Sequence, residues 1–111
     1  MIYEIVTLKE LMDNTDKDKE LFVDTETGGG DNYDYIVLFQ MYQEHWDKVK
    51  VVVMSEVSPI APEFIWSCIK DFKLIGANLL YDFQQFNKHT TNFTPPNKWE
   101  DTFYASRIIH P

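Results

Sequence analysis

The stretch that decides the fold of this chain is Leu21-Phe22-Val23-Asp24-Thr25-Glu26-Thr27. Its first three residues form a compact apolar run that is typical of a central β-strand. Asp24 and Glu26 follow this run two residues apart. Because side chains alternate between the two faces of a strand, these two carboxylates are expected on the same face at the end of the strand.

A third acidic residue, Asp82, follows a second predicted strand at Lys73–Ala77 and stands at the start of a helix. Carboxylates at the ends of neighbouring strands can converge, and like charges so close are costly unless a cation binds them. Magnesium and manganese ions prefer oxygen ligands. We therefore predict a catalytic, metal-binding group of Asp24, Glu26 and Asp82. Two alternatives stay open, because Asp-x-Glu is also common in solvated turns and Asp82 could be a helix N-cap.

The hydrophobic pattern along the chain predicts an α/β domain with a mixed sheet, in the order β-α-β-β-β-α-β-α-α. Thr7 is expected to cap the first helix, with Glu10 completing a capping box. The predicted strands are Ile2–Val6, Leu21–Val23, Tyr35–Tyr42, Val49–Met54 and Lys73–Ala77. The predicted helices are Leu8–Asn14, Glu63–Phe72, Tyr81–His89 and Thr102–Ile109. Glycine-rich and proline-containing loops are predicted at Thr27–Asp31 and Asn92–Lys98.

The pattern within two of these helices predicts a buried face and a cap. In Glu63–Phe72, a spacing of three and four residues predicts one apolar face made of Phe64, Ile65, Cys68, Ile69 and Phe72. The last helix, Thr102–Ile109, is expected to take Asp101 or Thr102 as its cap.

The length, composition and net charge of the chain restrict the classes of protein to which it can belong. With 111 residues, 44% of them hydrophobic, the chain is expected to form one small domain. No apolar run reaches the length of a membrane span, and the single cysteine, Cys68, favours a reducing cytoplasm. The net charge of −8 argues against a protein that coats nucleic acid with a basic surface. A negative net charge is compatible with an enzyme that binds phosphate through metal ions.

Three segments in order resemble the DEDD-type 3′–5′ exonuclease domain of family A DNA polymerases. Leu21–Thr27 is similar to the first exonuclease motif, and Leu74–Asp82 is similar to the second. Trp99–Thr102 resembles the Asp-Thr segment that follows the second motif. The resemblance implies a ribonuclease H-like fold, with a mixed sheet flanked by helices. Ribonuclease D shares this fold and similar motifs, so the choice between DNA and RNA stays open.

Carried over residue by residue, the resemblance implies a site for two Mg²⁺ or Mn²⁺ ions. Asp24 would bridge both ions, Glu26 would hold the ion that generates the attacking hydroxide, and Asp82 would support the second ion through water. Thr27 would contact the terminal nucleotide. Asn78 and Tyr81 would position the strand near the scissile phosphate. A turn residue for Asn78 and an ordinary packed aromatic for Tyr81 remain alternatives.

The third motif of that family, a Tyr or His followed by an Asp, has no counterpart after Asp82, where the acidic residues are Glu100 and Asp101. Residues 1–111 are therefore expected to be the N-terminal portion of an exonuclease domain. An apolar face on the last helix (Phe103, Ile108, Ile109) would promote aggregation if it were exposed to solvent. We therefore expect a complementary polymerase or exonuclease chain, or a second copy of this chain, to cover it.

Three functions follow as hypotheses. The first is a proofreading exonuclease that acts on the 3′ end of single-stranded DNA and is completed by a partner chain, encoded by a phage or another mobile genome. The second is a non-catalytic module that binds a polymerase or a nucleic-acid end. The third is an exoribonuclease similar to ribonuclease D.

Overall fold

The computed structural model describes residues 3–28, 35–54, 61–88, 90–91, 93–96 and 98–102. The strands are β1 (Tyr3–Ile5), β2 (Leu21–Gly28), β3 (Tyr35–Tyr42), β4 (Val49–Val53), β5 (Lys73–Gly76) and β6 (Lys98–Asp101). The helices are α1 (Leu8–Asp13), α2 (Ala61–Ile69) and α3 (Leu79–Lys88). None of these described helices is long and apolar enough to cross a membrane.

The strands form one sheet in the order β1-β4-β3-β2-β5-β6. The antiparallel meander β2-β3-β4 occupies its centre, with β1 parallel to β4 on one side. On the other side β5 runs parallel to β2, and β6 runs parallel to β5. The predicted α/β architecture with a mixed sheet is therefore confirmed.

Strand β2 shows the alternation on which the site depends. Leu21, Val23 and Thr25 are buried, whereas the three residues between and after them, Phe22, Asp24 and Glu26, are exposed. The strand is longer than predicted, because its polar second half pairs with β3 as far as Gly28. The loop predicted at Thr27–Asp31 thus begins later, and its last three residues lie outside the described residues.

The three helices pack against one face of the sheet. Leu11 of α1 and Ile65, Trp66 and Ile69 of α2 are buried in one cluster with the inward side chains of the central strands. Phe64 was predicted on the buried face of α2, but it is 51% exposed. Trp66 takes the inward position and stacks near Phe86, with 5.1 Å between ring centroids. The bulky aromatic side chain of Trp66, two residues after Phe64, thus shifts the buried face of the helix.

The end of the described chain differs from the sequence-based expectation. Helix α3 begins at Leu79, two residues before the predicted start. Strand β6 was not predicted, because three of its four residues are exposed and it has no apolar alternation. Pairing with β5 defines this edge strand, and Trp99 meets Phe83 edge-on at 5.5 Å. Apart from Thr102, the helix predicted at Thr102–Ile109 lies outside the described residues.

Candidate active site

The candidate site begins where β5 stops covering the edge of β2. β5 pairs with β2 through Leu21 and Phe22, and the chain then turns into α3. At the free edge beyond this pairing, the backbone N–H of Thr25 donates a hydrogen bond of 3.1 Å to Asp82 Oδ1. The hydroxyl of Thr25 donates to the same oxygen. The carboxylate of Asp82 therefore satisfies a strand N–H that would otherwise need a neighbouring strand.

Asp24 and Glu26 extend from the face of β2 that is opposite to the helices. Asp24 lies directly across from Gln40 of β3, and Gln40 Nε2 donates a 3.4 Å hydrogen bond to Glu26 Oε1. Gln40 was not among the residues predicted for this site. A polar residue inside the apolar strand Tyr35–Tyr42 was the available signal. Asp24 and Gln40 also line an open groove of about 390 Å³ that continues past Gly76 to Thr102.

The carboxylates of this region influence one another. Burial raises the pKa of Asp24, the negative charge of Glu26 raises it further, and a backbone hydrogen bond from Thr25 acts in the opposite direction. Burial also raises the pKa of Asp82, to about 6, against the hydrogen bonds from Thr25. The charges of Asp24 and Asp101 add to that rise. The ionised carboxylates are thus crowded, and a bound cation would relieve their repulsion.

The donor chemistry of this region fits Mg²⁺ or Mn²⁺, since all three predicted ligands offer carboxylate oxygens. The present side-chain arrangement is open. Within the described part of the chain, no three His, Cys, Asp or Glu side chains are grouped closely enough to hold a metal ion. Asp24 and Glu26 share the outer face of β2, and Asp82 lies at its edge. Their roles as metal ligands therefore remain a prediction.

Two of the three predicted substrate-binding residues are in contact. Thr27 Oγ1 and Tyr81 OH are joined by a hydrogen bond of 2.6 Å. The third, Asn78, is exposed at the start of α3 and has a φ of 58°. Asparagine tolerates this left-handed conformation better than most residues. The backbone thus accounts for Asn78 as a turn residue, and a contact of its side chain with substrate remains a prediction.

Asp101 has a role that was not predicted, whereas its predicted role as a cap of the helix Thr102–Ile109 concerns a helix that lies, apart from Thr102, outside the described residues. Asp101 is buried at the end of β6, and its two carboxylate oxygens accept hydrogen bonds from Asn78 N at 2.9 Å and Leu79 N at 2.8 Å. It therefore caps α3, which precedes it in the chain. A cap that is supplied from 22 residues downstream leaves no local signal in the sequence. Through this cap, β6 fixes the first turn of the helix that carries Tyr81 and Asp82.

No protein-family model matches the sequence, and no curated protein matches it. Solved structures do share its fold. The Aedes aegypti Nibbler EXO domain has a TM-score of 0.65 at 11% identity, over 91% of this chain and 51% of that one. Escherichia coli RNase D, an exoribonuclease involved in structured RNA processing, has a TM-score of 0.62 at 15% identity, over 92% and 28%. Trypanosoma brucei RNase D in complex with RNA U12 has a TM-score of 0.65 at 15% identity, over 90% and 37%.

These similarities define the class of fold. The chain has the fold of the exonuclease domains of Nibbler and RNase D, and it spans about half or less of the length of each. The expected fold, a mixed sheet flanked by helices, is thus confirmed. The narrower assignment to family A polymerases has no support from these three structures, none of which is a polymerase domain.

Proposed function

We propose that this chain is a module of a divalent-cation-dependent 3′–5′ exonuclease. The observation that supports this most is the contact between Asp82 and Thr25, because it brings the second acidic motif to the residue that lies between Asp24 and Glu26. The raised pKa values of Asp24 and Asp82 support it as well, since perturbed carboxylates are common at catalytic sites.

In this proposal Asp24, Glu26 and Asp82 hold two Mg²⁺ or Mn²⁺ ions. When bound, the ions supply an activated water and stabilise the departing 3′ oxygen. The chain's own residues place the carboxylates and the substrate. Thr27 lies beside the carboxylates on β2 and contacts the terminal nucleotide. Asn78 and Tyr81, which lie at the start of α3, position the strand near the scissile phosphate.

In this proposal a complete site takes a further acidic ligand from outside the described residues. The three similar structures are about twice as long or more, which leaves room for a further acidic ligand. The outer face of the sheet also exposes Tyr3, Ile5 and Phe22. We therefore propose that a complementary polymerase or exonuclease chain, or a second copy, completes the module in the cytoplasm. Size-exclusion chromatography with light scattering tests this, and a well-folded monomer that does not bind the complementary polypeptide would contradict it.

The substrate has two candidates. The segments Leu21–Thr27 and Leu74–Asp82 resemble exonuclease motifs of family A polymerases. This resemblance favours proofreading of single-stranded DNA by a family A-like polymerase, such as one encoded by a phage. The similarity to two RNase D structures favours an exoribonuclease. Single strands of one sequence in DNA and RNA form separate these, because only the 2′-hydroxyl and the thymine methyl group differ. Faster degradation of the DNA strand supports proofreading, and faster degradation of the RNA strand supports the RNase D-like activity.

The test of the activity itself uses the chain together with its complementary polypeptide. Release of a 3′-terminal label from a single strand is followed with Mg²⁺ or Mn²⁺ present. Asp24→Ala is expected to lower the rate at least about a hundredfold, because it removes a ligand of the ions that would stabilise the transition-state charge. Asp71→Ala, at an exposed aspartate on the turn after α2, is the matched control and should leave the rate unchanged. Equal rates for Asp24→Ala and wild type would show that the assignment of the site is wrong.

A further inference from the structure

We propose that Thr25 is a positioning residue, which orients the carboxylate of Asp82 so that only Oδ2 is offered to a cation or to a cation-bound water. This inference rests on the proposed function, because it concerns how Asp82 serves that site. It assigns a role to the middle residue of Asp24-Thr25-Glu26, for which the sequence motif gives no reason.

The hydrogen bonds of Thr25 determine which carboxylate oxygen of Asp82 remains available to a cation. Thr25 N and Thr25 Oγ1 both donate to Asp82 Oδ1. A carboxylate oxygen has two lone pairs, so two donors fill Oδ1 and leave Oδ2. Both residues are buried, with 6% of Thr25 and 3% of Asp82 exposed. Hydrogen bonds to an ionised group are strong when water is excluded, and this pair of bonds opposes rotation of the carboxylate.

A threonine at this position is not explained by packing. Thr25 belongs to the buried face of β2 together with Leu21 and Val23, where valine has nearly the same shape. A buried hydroxyl is costly unless it is hydrogen-bonded, and here Asp82 provides the acceptor. Since valine could be buried on this face equally well, the role of the Thr25 hydroxyl is to donate a hydrogen bond to the carboxylate of Asp82.

The backbone of α3 is fixed independently of this contact. Asp101 accepts hydrogen bonds from Asn78 N and Leu79 N at the first turn of the helix. With the helix start held by Asp101 and the side chain held by Thr25, Asp82 Oδ2 has one position relative to β2. Removal of the Thr25 hydroxyl should therefore leave Asp82 Oδ1 with the backbone donor alone and loosen the carboxylate without moving the helix.

The first test needs neither a cation nor activity. The carboxyl carbon of Asp82 is observed by NMR in protein with ¹³C-labelled aspartate, at pH 8 in EDTA. Thr25→Val is expected to shift the Asp82 resonance and leave that of Asp101 in place, whereas Thr25→Ser retains the donor and should resemble wild type. An unchanged Asp82 resonance in Thr25→Val would overturn the inference. In wild type, the Thr25 amide should also be protected from hydrogen exchange, and rapid exchange would overturn the inference even if the valine variant does not fold.

The second test separates this inference from the proposed function. Mn²⁺ alone, without nucleic acid, is titrated calorimetrically into each variant in the presence of the complementary polypeptide. Loss of a residue that orients a metal ligand typically weakens metal binding by about 10–100-fold, which we expect for Thr25→Val and not for Thr25→Ser. If wild type binds no Mn²⁺ beside its complementary polypeptide, the proposed function fails. If wild type and Thr25→Val bind Mn²⁺ equally, the proposed function stands and the positioning role of Thr25 is wrong.

Discussion

The carboxylate of Asp82 and the strand residue Thr25, 57 positions apart in the sequence, are joined through a single oxygen that accepts two hydrogen bonds. This contact brings α3 to the free edge of β2 and places Asp82 near the outward-facing Asp24. It also places an ionisable group where water has little access. The stability of the protein should therefore depend on the protonation of Asp82.

The pH dependence follows from the pKa of Asp82, which burial raises from 3.8 to about 6. The folded state then binds this proton more tightly than the unfolded state. The stabilisation is fully present below about pH 4 and is lost as the pH rises through 6, with a magnitude on the order of 1–3 kcal/mol. Asp82→Asn keeps an acceptor for Thr25 but does not titrate.

Urea unfolding in EDTA from pH 4.5 to 7.5 measures this effect. The free energy of unfolding of Asp82→Asn should rise relative to wild type across that range. Asp71→Asn, at an exposed position, should follow wild type at every pH. A constant difference between Asp82→Asn and wild type would contradict the raised pKa.

Asp101 should be important for stability because its buried carboxylate caps α3. Asp101→Ala removes both acceptors from the helix start and is expected to cost about 2 kcal/mol. Glu100→Ala is the matched control, since this neighbour is exposed and forms only a long ion pair of 3.7 Å with Lys73. Chemical denaturation of both variants checks the prediction, and equal stabilities would show that the cap contributes little.

Gly76 is required by a close approach between β5 and β2. A Cβ atom at this position would lie 2.7 Å from the backbone oxygen of Val23 and 2.7 Å from Leu79 Cδ2. The backbone oxygen cannot move aside, so Gly76→Ala should separate the strands and cost roughly 1–3 kcal/mol. Ala77→Ser, at the exposed next position, should be nearly neutral in thermal denaturation. A melting temperature of Gly76→Ala close to that of wild type would contradict this account of the glycine.

The Thr27–Tyr81 contact should matter for binding of the nucleic-acid end. Tyr81→Phe retains the ring and removes the hydroxyl that bonds Thr27 Oγ1 at 2.6 Å. Without this bond Thr27 and Tyr81 are less well placed for the nucleic-acid end, and single-strand affinity should fall roughly 2–10-fold, which corresponds to about 0.5–1.5 kcal/mol. Tyr42→Phe is the control, because its hydroxyl makes only a 3.5 Å bond to Glu44 O. Fluorescence anisotropy with a labelled oligonucleotide distinguishes the two, and identical affinities would exclude a role for the Tyr81 hydroxyl.

Short sequence patterns predicted the elements whose structure depends on residues close together in the chain. The apolar run Leu21–Val23 identified the central strand, and period-two alternation placed Asp24 and Glu26 on one face. The cap at Thr7, which accepts from Glu10 N at 3.1 Å, was also visible as a short motif. These features depend on residues a few positions apart.

The remaining features depend on contacts between distant segments. Strand β6 is polar and exposed, so only pairing with β5 defines it. Thr25 binds Asp82 and Asp101 binds the start of α3 because the sheet order brings β5 between β2 and β6. A single sequence contains no periodicity that reports such contacts, and for this reason the roles of Thr25 and Asp101 became apparent only in three dimensions.

The central claim is that Asp24, Glu26 and Asp82 share divalent cations at the edge of β2. Paramagnetic broadening of backbone amide signals by substoichiometric Mn²⁺, with the complementary polypeptide present, tests it most directly. We expect selective broadening at residues 24–26 and 82, which Asp24→Asn abolishes and Asp71→Asn leaves intact. Broadening that is absent, or that is centred on another surface and persists in Asp24→Asn, would contradict the account.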